Sequence, residues 1–325
     1  MDLKYAYLNT RVKAMESKLL PEALFKQLIV VKTIDEMIEL LEETNLKRSF
    51  VDASINFKGI ALIEEALRLE LVSSLKLIKK YLPKKHNDLF ELVFSEFHAQ
   101  NLKTIVAKKA LGQDVSLNDL VLLNGSSEYD SLIKADLKSF VSLIELDANS
   151  DSAKAAAKDL PIDYRVLLKD IDKAFYAKIS SLAGKGDHPQ TKQIIFSRLE
   201  FLNAMMILRS KKLGVEVKTF FSNAFINSLK ENGFDTAVEK MIQHYKLSSD
   251  EEKIAKNSLA LLEVIVEQKI VNKILKETRL SVMSFSSVIG FVYLKQVELG
   301  NIRKIAYSKL YSMPELNDYV FAINA

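Results

Sequence analysis

The stretch NLKTIVAKKALG, Asn101–Gly112, is the best indicator of the fold because related stretches occur twice more in the chain. They are NAMMILRSKKLG at Asn203–Gly214 and NIRKIAYSKLYS at Asn301–Ser312. All three copies have Asn at the first position, Ile at the fifth and Lys at the ninth. Steps of four residues place these side chains on one face of a helix. The recurrence predicts either a ligand site used three times or one structural unit built three times, and the roles argued below for each position favour the structural unit.

The composition favours helices along the whole chain. Nine Gly and five Pro in 325 residues leave few helix breakers, and no alternating run of β-branched residues indicates a strand. The predicted fold class is therefore all-α, with three similar helical units in a pseudo-threefold repeat. Each unit is predicted to end at a copy of the motif, so the repeats are 1–113, 114–214 and 215–325.

Each repeat is predicted to contain a pair of long helices, of which the second carries the motif. The predicted pairs lie near 52–82 and 86–111, 161–183 and 188–213, and 248–279 and 283–311. Capping boxes begin at Thr33 and Ser248, where a hydroxyl precedes a Glu by three residues. Pro161 is predicted to be the first residue of a long helix, and Pro314 to stop another.

The first long helix of every repeat carries one carboxylate in a row of apolar side chains, and the second carries the motif's Asn in a similar row. The carboxylates are Glu64, Asp172 and Glu263, and the amides are Asn101, Asn203 and Asn301. A buried polar group without a partner costs roughly 1–3 kcal/mol. We therefore predict that each carboxylate hydrogen-bonds to the Asn of its own repeat, or to nearby backbone, and fixes the register of the helix pair.

The remaining motif positions are predicted to end the helix. The three lysines, Lys109, Lys211 and Lys309, lie in the last helical turn, where a cation complements the exposed carbonyl groups. Gly112 and Gly214 are placed for the left-handed residue just beyond a helix. The third copy has Ser312 at this position, followed by Pro314.

Motifs for catalysis, cofactors or metals are absent from the sequence. There is no Cys, the four His are scattered, and the stretch Gly184–Asp187 lacks the spacing of a phosphate-binding loop. No catalytic, cofactor-binding or metal residue is therefore predicted. A net charge of +4 is too mild to indicate a nucleic-acid-binding protein, and the most apolar late stretch, 281–294, is too short to cross a bilayer.

Two segments resemble a known family. They are Tyr7–Leu20, YLNTRVKAMESKLL, and Gly290–Ile305, GFVYLKQVELGNIRKI. Together with the chain length and the three repeats, they resemble the C subunit of the archaeal and bacterial A/V-type rotary ATPases, which is similar to the d subunit of the eukaryotic vacuolar enzyme. The family typically has a Glu three residues before an Asn and an Arg two residues after it, as in Glu298, Asn301 and Arg303.

The first two repeats depart from this family pattern. His98 and Glu200 stand at the position of Glu298, and Met205 stands at the position of Arg303. The departures weaken the signature in these repeats and leave the third repeat unaffected.

The resemblance implies a non-catalytic central-stalk subunit without a cofactor. Members form a funnel-like body on the cytoplasmic face of the membrane, peripheral to it, between the central-shaft subunits and the membrane proteolipid rotor ring. They transmit torque for ion transport, such as hydrogen ion transport, linked to ATP synthesis or hydrolysis. The regions Lys79–Lys85 and Gly184–Pro189 are candidate contact regions for these partners.

Three other interpretations remain open at this point. They are a helical scaffold or adaptor unrelated to rotary motors, a helical nucleic-acid-binding protein that uses its lysine pairs, and an α-helical enzyme without a linear motif. Repeats of roughly 100 residues are long for a helical solenoid, whose units are about 35–45 residues.

Overall fold

The computed structural model describes residues 6–82, 87–123, 127–144, 146–184, 189–215, 219–280 and 284–321. Within these ranges the secondary structure is α-helix with two 3₁₀ segments, Leu117–Asp119 and Pro314–Tyr319, and there is no strand. The all-α prediction is confirmed.

Groups of short helices alternate with pairs of long helices along the chain. In order they are α1 (Ala6–Glu16), α2 (Glu22–Val30), α3 (Ile34–Glu42), α4 (Lys47–Ser54), α5 (Gly59–Tyr81), α6 (Asn87–Ala110), α7 (Ser127–Lys134), α8 (Leu137–Leu143), α9 (Asp151–Ala157), α10 (Tyr164–Gly184), α11 (Pro189–Leu213), α12 (Ala224–Glu231), α13 (Phe234–His244), α14 (Ser249–Asn257), α15 (Leu259–Leu280) and α16 (Phe285–Leu310). The long helices α5, α6, α10, α11, α15 and α16 each have more than 20 residues.

The chain forms two compact units. One unit comprises residues 1–71 and 187–325, and the other comprises residues 72–186. The division into repeats 1–113, 114–214 and 215–325 is a different partition, based on the recurring motif, and it stays a prediction.

In the unit of residues 1–71 and 187–325, the beginning and the end of the chain share one core. Short helices α2, α3 and α4 and the start of α5 pack around the last part of α16. Phe25, Met37 and Phe50 are buried there together with Ile302 and Ile305 of α16.

In the unit of residues 72–186, the core lies between α6 and α10 and is covered by shorter helices. Ile105 and Val106 of α6 pack with Leu167 and Ile171 of α10, and Phe140 of α8 is buried against them. Burial of such side chains contributes roughly 1.5–3 kcal/mol each.

Two of the predicted long helices are interrupted. The predicted helix 52–82 is divided because Gly59 has φ of 57°, a left-handed conformation that glycine tolerates at low cost. The predicted helix 248–279 is divided at Ser258, whose extended backbone separates α14 from α15. The hydroxyl of Ser258 accepts a hydrogen bond from the backbone N–H of Leu261 at 3.4 Å and so begins a new helix.

The predicted helix starts are partly confirmed. Thr33 and Ser248 both form capping boxes, as expected. Pro161 is not the first residue of α10, which begins at Tyr164. The carboxylate of Asp163 instead accepts the backbone N–H of Arg165 at 2.8 Å and supplies the start signal.

The ends of the three motif helices share one conformation. Gly112 and Gly214 have φ of 65° and 66°, as predicted, and Ser312 adopts φ of 53° in the third copy. In each case the next residue donates its backbone N–H to a carbonyl in the last helical turn; the pairs are Gln113 with Lys108, Val215 with Ser210 and Met313 with Ser308. These bonds satisfy carbonyl groups that a helix end leaves without intrahelical partners.

Gly290 and Gly300, both in α16, provide a matched test of packing. A Cβ at Gly290 would lie 2.3 Å from Cγ2 of buried Thr278, whereas nothing lies within 4 Å of a Cβ at Gly300. We expect Gly290→Ala to lower the free energy of unfolding by about 1–3 kcal/mol through overpacking. Gly300→Ala should raise it by about 0.5–1 kcal/mol by reducing backbone entropy in the unfolded chain.

Urea unfolding of both variants measures this difference. Equal unfolding midpoints for the two would show that α15 can move away from α16 at little cost.

Candidate functional site

All three motif asparagines bind backbone groups of the segment after their own helix, although only Asn101 both donates and accepts there; Asn203 accepts from that segment and Asn301 donates to it. Each side chain is buried and holds the segment that follows its own helix. The pairs are Asn101 with Val121 (Nδ2 to O 3.0 Å; backbone N to Oδ1 2.8 Å), Asn203 with Phe220 (backbone N to Oδ1 3.0 Å) and Asn301 with Phe321 (Nδ2 to O 2.7 Å). Each amide thereby satisfies main-chain groups that would otherwise be buried without partners.

The predicted bonds between carboxylates and these asparagines are wrong. Each carboxylate forms an ion pair with a basic side chain instead: Asp172 with Lys103 (2.7 Å), Glu263 with Arg209, and Glu64 with Arg303 (2.8 Å). The carboxylates are partly exposed, and a cation offers a stronger, charge-assisted bond than an amide does. The amides are already occupied by backbone.

These ion pairs join helices of different predicted repeats. They connect α6 with α10, α11 with α15, and α16 with α5. The motif helix of each repeat is therefore tied to the carboxylate helix of the next repeat, and the third is tied back to the first. We infer that the packing unit begins with a motif helix and ends with a carboxylate helix.

Arg209 is an ion-pairing residue that the motif alignment does not identify. Met205 occupies the position equivalent to Arg303, so the second repeat has no cation at that position. Arg209 lies four residues further on, one turn along the same helical face, and forms the ion pair with Glu263.

The motif lysines do complement the carbonyl end of a helix, but of a different helix from the predicted one. Each donates to the carbonyls one residue before and one residue after the last residue of a short helix. The pairs are Lys109 with Ile133 and Ala135 of α7, Lys211 with Lys230 and Asn232 of α12, and Lys309 with Ile29 and Val31 of α2. The prediction was wrong because the left-handed cap already satisfies the lysine's own helix, whereas the short helix ends with free carbonyls.

Burial affects two of these lysines electrostatically. Burial lowers the pKa of Lys109, and the nearby carboxylate of Asp136 partly opposes this effect. Burial also lowers the pKa of Lys309, with Glu36 acting in the opposite direction. In both cases the ammonium group lies in a partly desolvated position, where its bonds to carbonyls are stronger than in water.

The residue three positions before each motif Asn contacts the start of the short helix whose end binds the motif Lys. His98 Nδ1 lies 2.9 Å from the hydroxyl of Tyr129 in α7, Glu200 accepts from Asn223 at the start of α12, and Glu298 Oε1 accepts from the backbone N–H of Leu20 just before α2 at 2.7 Å. One face of each motif helix therefore makes three contacts. The residue three positions before the Asn contacts the start of a short helix, the Asn contacts the segment that follows its own helix, and the Lys contacts the end of the same short helix.

A buried charged network surrounds Glu298. Lys295 Nζ lies 2.7 Å from Glu298 and 2.9 Å from Glu70, whose other oxygen accepts from Ser49 at 2.9 Å. Burial alone would lower the pKa of Lys295, but the carboxylates of Glu298 and Glu70 outweigh it and raise that pKa. Lys295 is therefore a cation held between two carboxylates, and it connects α16 with α5.

The described residues include no group of three or more His, Cys, Asp or Glu side chains placed to hold a metal ion. In the same part of the chain, no helix is long and apolar enough to cross a membrane. Of the candidate contact regions, Lys79 and Lys80 are exposed in the last turn of α5, whereas 83–86 and 185–188 lie outside the described residues.

The contacts define a helical protein whose polar side chains tie helix to helix. A family model described as ATP synthase (C/AC39) subunit matches residues 8–317, so the chain belongs to this family. The resemblance inferred from the sequence is confirmed.

Named relatives agree with the family assignment. The A-type ATP synthase C subunit of Desulfurococcus sp. (strain SY) is 25% identical over 316 residues, covering 93% of this chain and 86% of that protein. Its counterpart in Thermococcus kodakarensis is 24% identical over 320 residues, covering 92% and 85%. That of Methanococcoides burtonii is 21% identical over 333 residues, covering 96% and 92%.

Removing one motif lysine tests the contribution of the caps. Lys109→Met leaves the carbonyl groups of Ile133 and Ala135 without their cation, so we expect the free energy of unfolding to fall by about 1–3 kcal/mol. The control is Lys134→Met, which changes an exposed lysine of α7 and should alter stability by less than about 0.5 kcal/mol. Similar losses in both variants, measured by urea unfolding, would contradict a specific role for Lys109.

The pair of Glu200 and His244 predicts a dependence on pH. Burial raises the pKa of the Glu200 carboxyl, but hydrogen bonds from His244 and Asn223 outweigh it and hold that pKa below its ordinary 4.5. A lowered carboxyl pKa contributes stability above the ordinary value, and this stability is lost as the pH falls through the folded-state pKa. Below about pH 4.5, the free energy of unfolding should therefore fall more steeply for the wild type than for Glu200→Gln.

Urea unfolding at a series of pH values measures this slope. Glu231→Gln, at an exposed position of α12, is the control and should keep the wild-type slope. If Glu200→Gln keeps the wild-type dependence of the free energy of unfolding on pH, then His244 and Asn223 do not stabilise the ionised form of Glu200.

Proposed function

We propose that this chain is the non-catalytic central-stalk subunit of an A/V-type rotary ATPase. In this role it couples the central shaft to the membrane rotor ring and transmits torque, so that ion transport is linked to ATP synthesis or hydrolysis. The observation that carries the proposal is the family match over residues 8–317. Relatives that align with more than nine-tenths of the chain are named as C subunits of A-type ATP synthases.

The contacts of the long helices support a mechanical role. A part that transmits torque must resist sliding of one helix along another. The ion pairs of Asp172, Glu263 and Glu64 each connect two long helices, and the buried network of Lys295 adds a second connection between α16 and α5. The buried network of Lys295 disfavours alternative registers most strongly, because any slip would leave buried charges without partners.

The proposal places the chain on the cytoplasmic face of the cell membrane, peripheral to the bilayer. Its partners there would be the shaft subunits and the proteolipid ring, with no nucleic acid involved. The chemistry of ATP would belong to other subunits. A helical scaffold unrelated to rotary motors is the competing function, and it predicts a different set of partners.

Purification from native membranes tests the proposal. A tagged chain, solubilised in mild detergent at low salt, should recover the shaft and ring subunits in a nearly constant ratio. The isolated chain should not hydrolyse ATP, whereas the recovered complex should do so. Recovery of neither shaft nor ring, while the tagged chain itself is intact, would refute the central-stalk role and favour the scaffold.

A further inference from the structure

The unit of residues 72–186 contains a groove that its own described helices leave open. The groove has a volume of about 660 Å³ and is lined by α6, α7, α10, Leu143, Ile144 and Leu146. Its apolar wall includes Phe94, Leu132 and Phe175. Leu143, at 53% relative exposure, also lines it.

The repeat relates this groove to a filled position elsewhere in the chain. Aligning Asn101 with Asn301 relates three groove-lining residues of α6 to residues of α16. Glu91 corresponds to Phe291, Ser95 to Lys295 and His98 to Glu298. These positions are spaced by four and three residues, so they occupy one face of each helix.

In α16 this face is covered by helix α1. Near the start of the row, the Asn9 amide donates to the backbone O of Ser284 at 3.2 Å and accepts the backbone N–H of Ser284 at 3.1 Å, in the amide orientation that satisfies both backbone groups. At the end of the row, Leu20 donates its backbone N–H to Glu298. Helix α1 packs against α16 between these two points and buries Leu8 and Val12.

The exposures of equivalent residues differ between the two faces at two of the three aligned positions. Phe291 and Glu298 are 1% and 0% exposed under α1. In α6, Glu91 is exposed and the side chain of His98 is 42% exposed, whereas Ser95 is buried like Lys295. Among the described residues of 72–186, no helix takes the place that α1 takes on α16.

We propose that this groove receives an amphipathic helix from another subunit of the assembly, seated on α6 as α1 is seated on α16. The inference rests on the proposed function, because the helix is supplied by a partner in the motor. Helix α1 itself is not the occupant, since Asn9 and Leu20 hold it in place.

The lining of the groove defines the chemistry of the partner helix. Apolar side chains at i and i+4, spaced like Leu8 and Val12, would face Phe94 and Phe175. Glu91 and Glu128 outnumber the single Lys178 in the groove. Lys178 pairs with Glu91 at 3.1 Å, and Glu128 lies 3.4 Å from the ring of His98. The partner helix should therefore carry a basic side chain beside its apolar stripe.

Photo-crosslinking within the intact complex tests this inference. Benzoylphenylalanine in place of Leu143, irradiated in complex purified from native membranes, should crosslink to a helical segment of another subunit with the stated pattern. Ser131→Trp in the same chain fills the groove from an exposed lining position and should lower the yield at least about tenfold, equivalent to about 1.4 kcal/mol of binding. Ser142→Trp, exposed on α8 and outside the groove, is the matched control and should keep the yield.

Each other outcome overturns the inference. These outcomes are crosslinks only within the chain, to a second copy or to lipid, and a yield that Ser131→Trp leaves unchanged although its unfolding midpoint matches the wild type. If the wild-type chain is recovered with shaft and ring but shows no such crosslink, only the groove proposal fails. If the wild-type chain is not recovered with them, the proposed function fails and the groove proposal fails with it.

Discussion

The buried asparagine amide is the contact on which the repeated architecture depends. An amide has both donors and an acceptor, so one side chain can satisfy an N–H and a carbonyl of an adjacent segment together. Asn101 does this with Val121, and Asn203 and Asn301 hold the corresponding segments after their own helices. Because the amide is buried, a shift of the segment by one residue would leave polar groups unsatisfied. The amide therefore fixes where the chain continues after each long helix, and the short helices are positioned from there.

Charged and polar side chains of the motif helices then bind both ends of the short helices. Lysines meet the carbonyl ends of α7, α12 and α2, and the polar residue three positions before each Asn meets the other end. The identity of that polar residue varies among His98, Glu200 and Glu298, yet its task is the same. What the repeats share is the location of a contact, and the chemistry at that location differs between copies.

The sequence was sufficient to predict the helical class, the long helices that carry the motif and the left-handed helix ends at Gly112 and Gly214. These features depend on residues close together in the chain, such as a glycine placed just after a periodic apolar row. The partners of the polar side chains could not be predicted in the same way. Lys309 reaches carbonyls of Ile29 and Val31, and Arg303 reaches Glu64, across most of the chain length. Periodicity identifies the face on which a side chain lies, but it does not identify the helix opposite, so the carboxylates were wrongly assigned to amides within their own repeats.

The contact between Lys309 and α2 has a consequence for the order in which contacts form during synthesis. On the ribosome, α6 emerges before the short helix α7 that it holds, so the unit of residues 72–186 can acquire its internal contacts while synthesis continues. Helix α2 emerges long before α16, which carries Lys309, the residue that binds the end of α2, and Glu298, which binds Leu20 just before it. These two contacts of α2 can therefore form only after α16 has been translated.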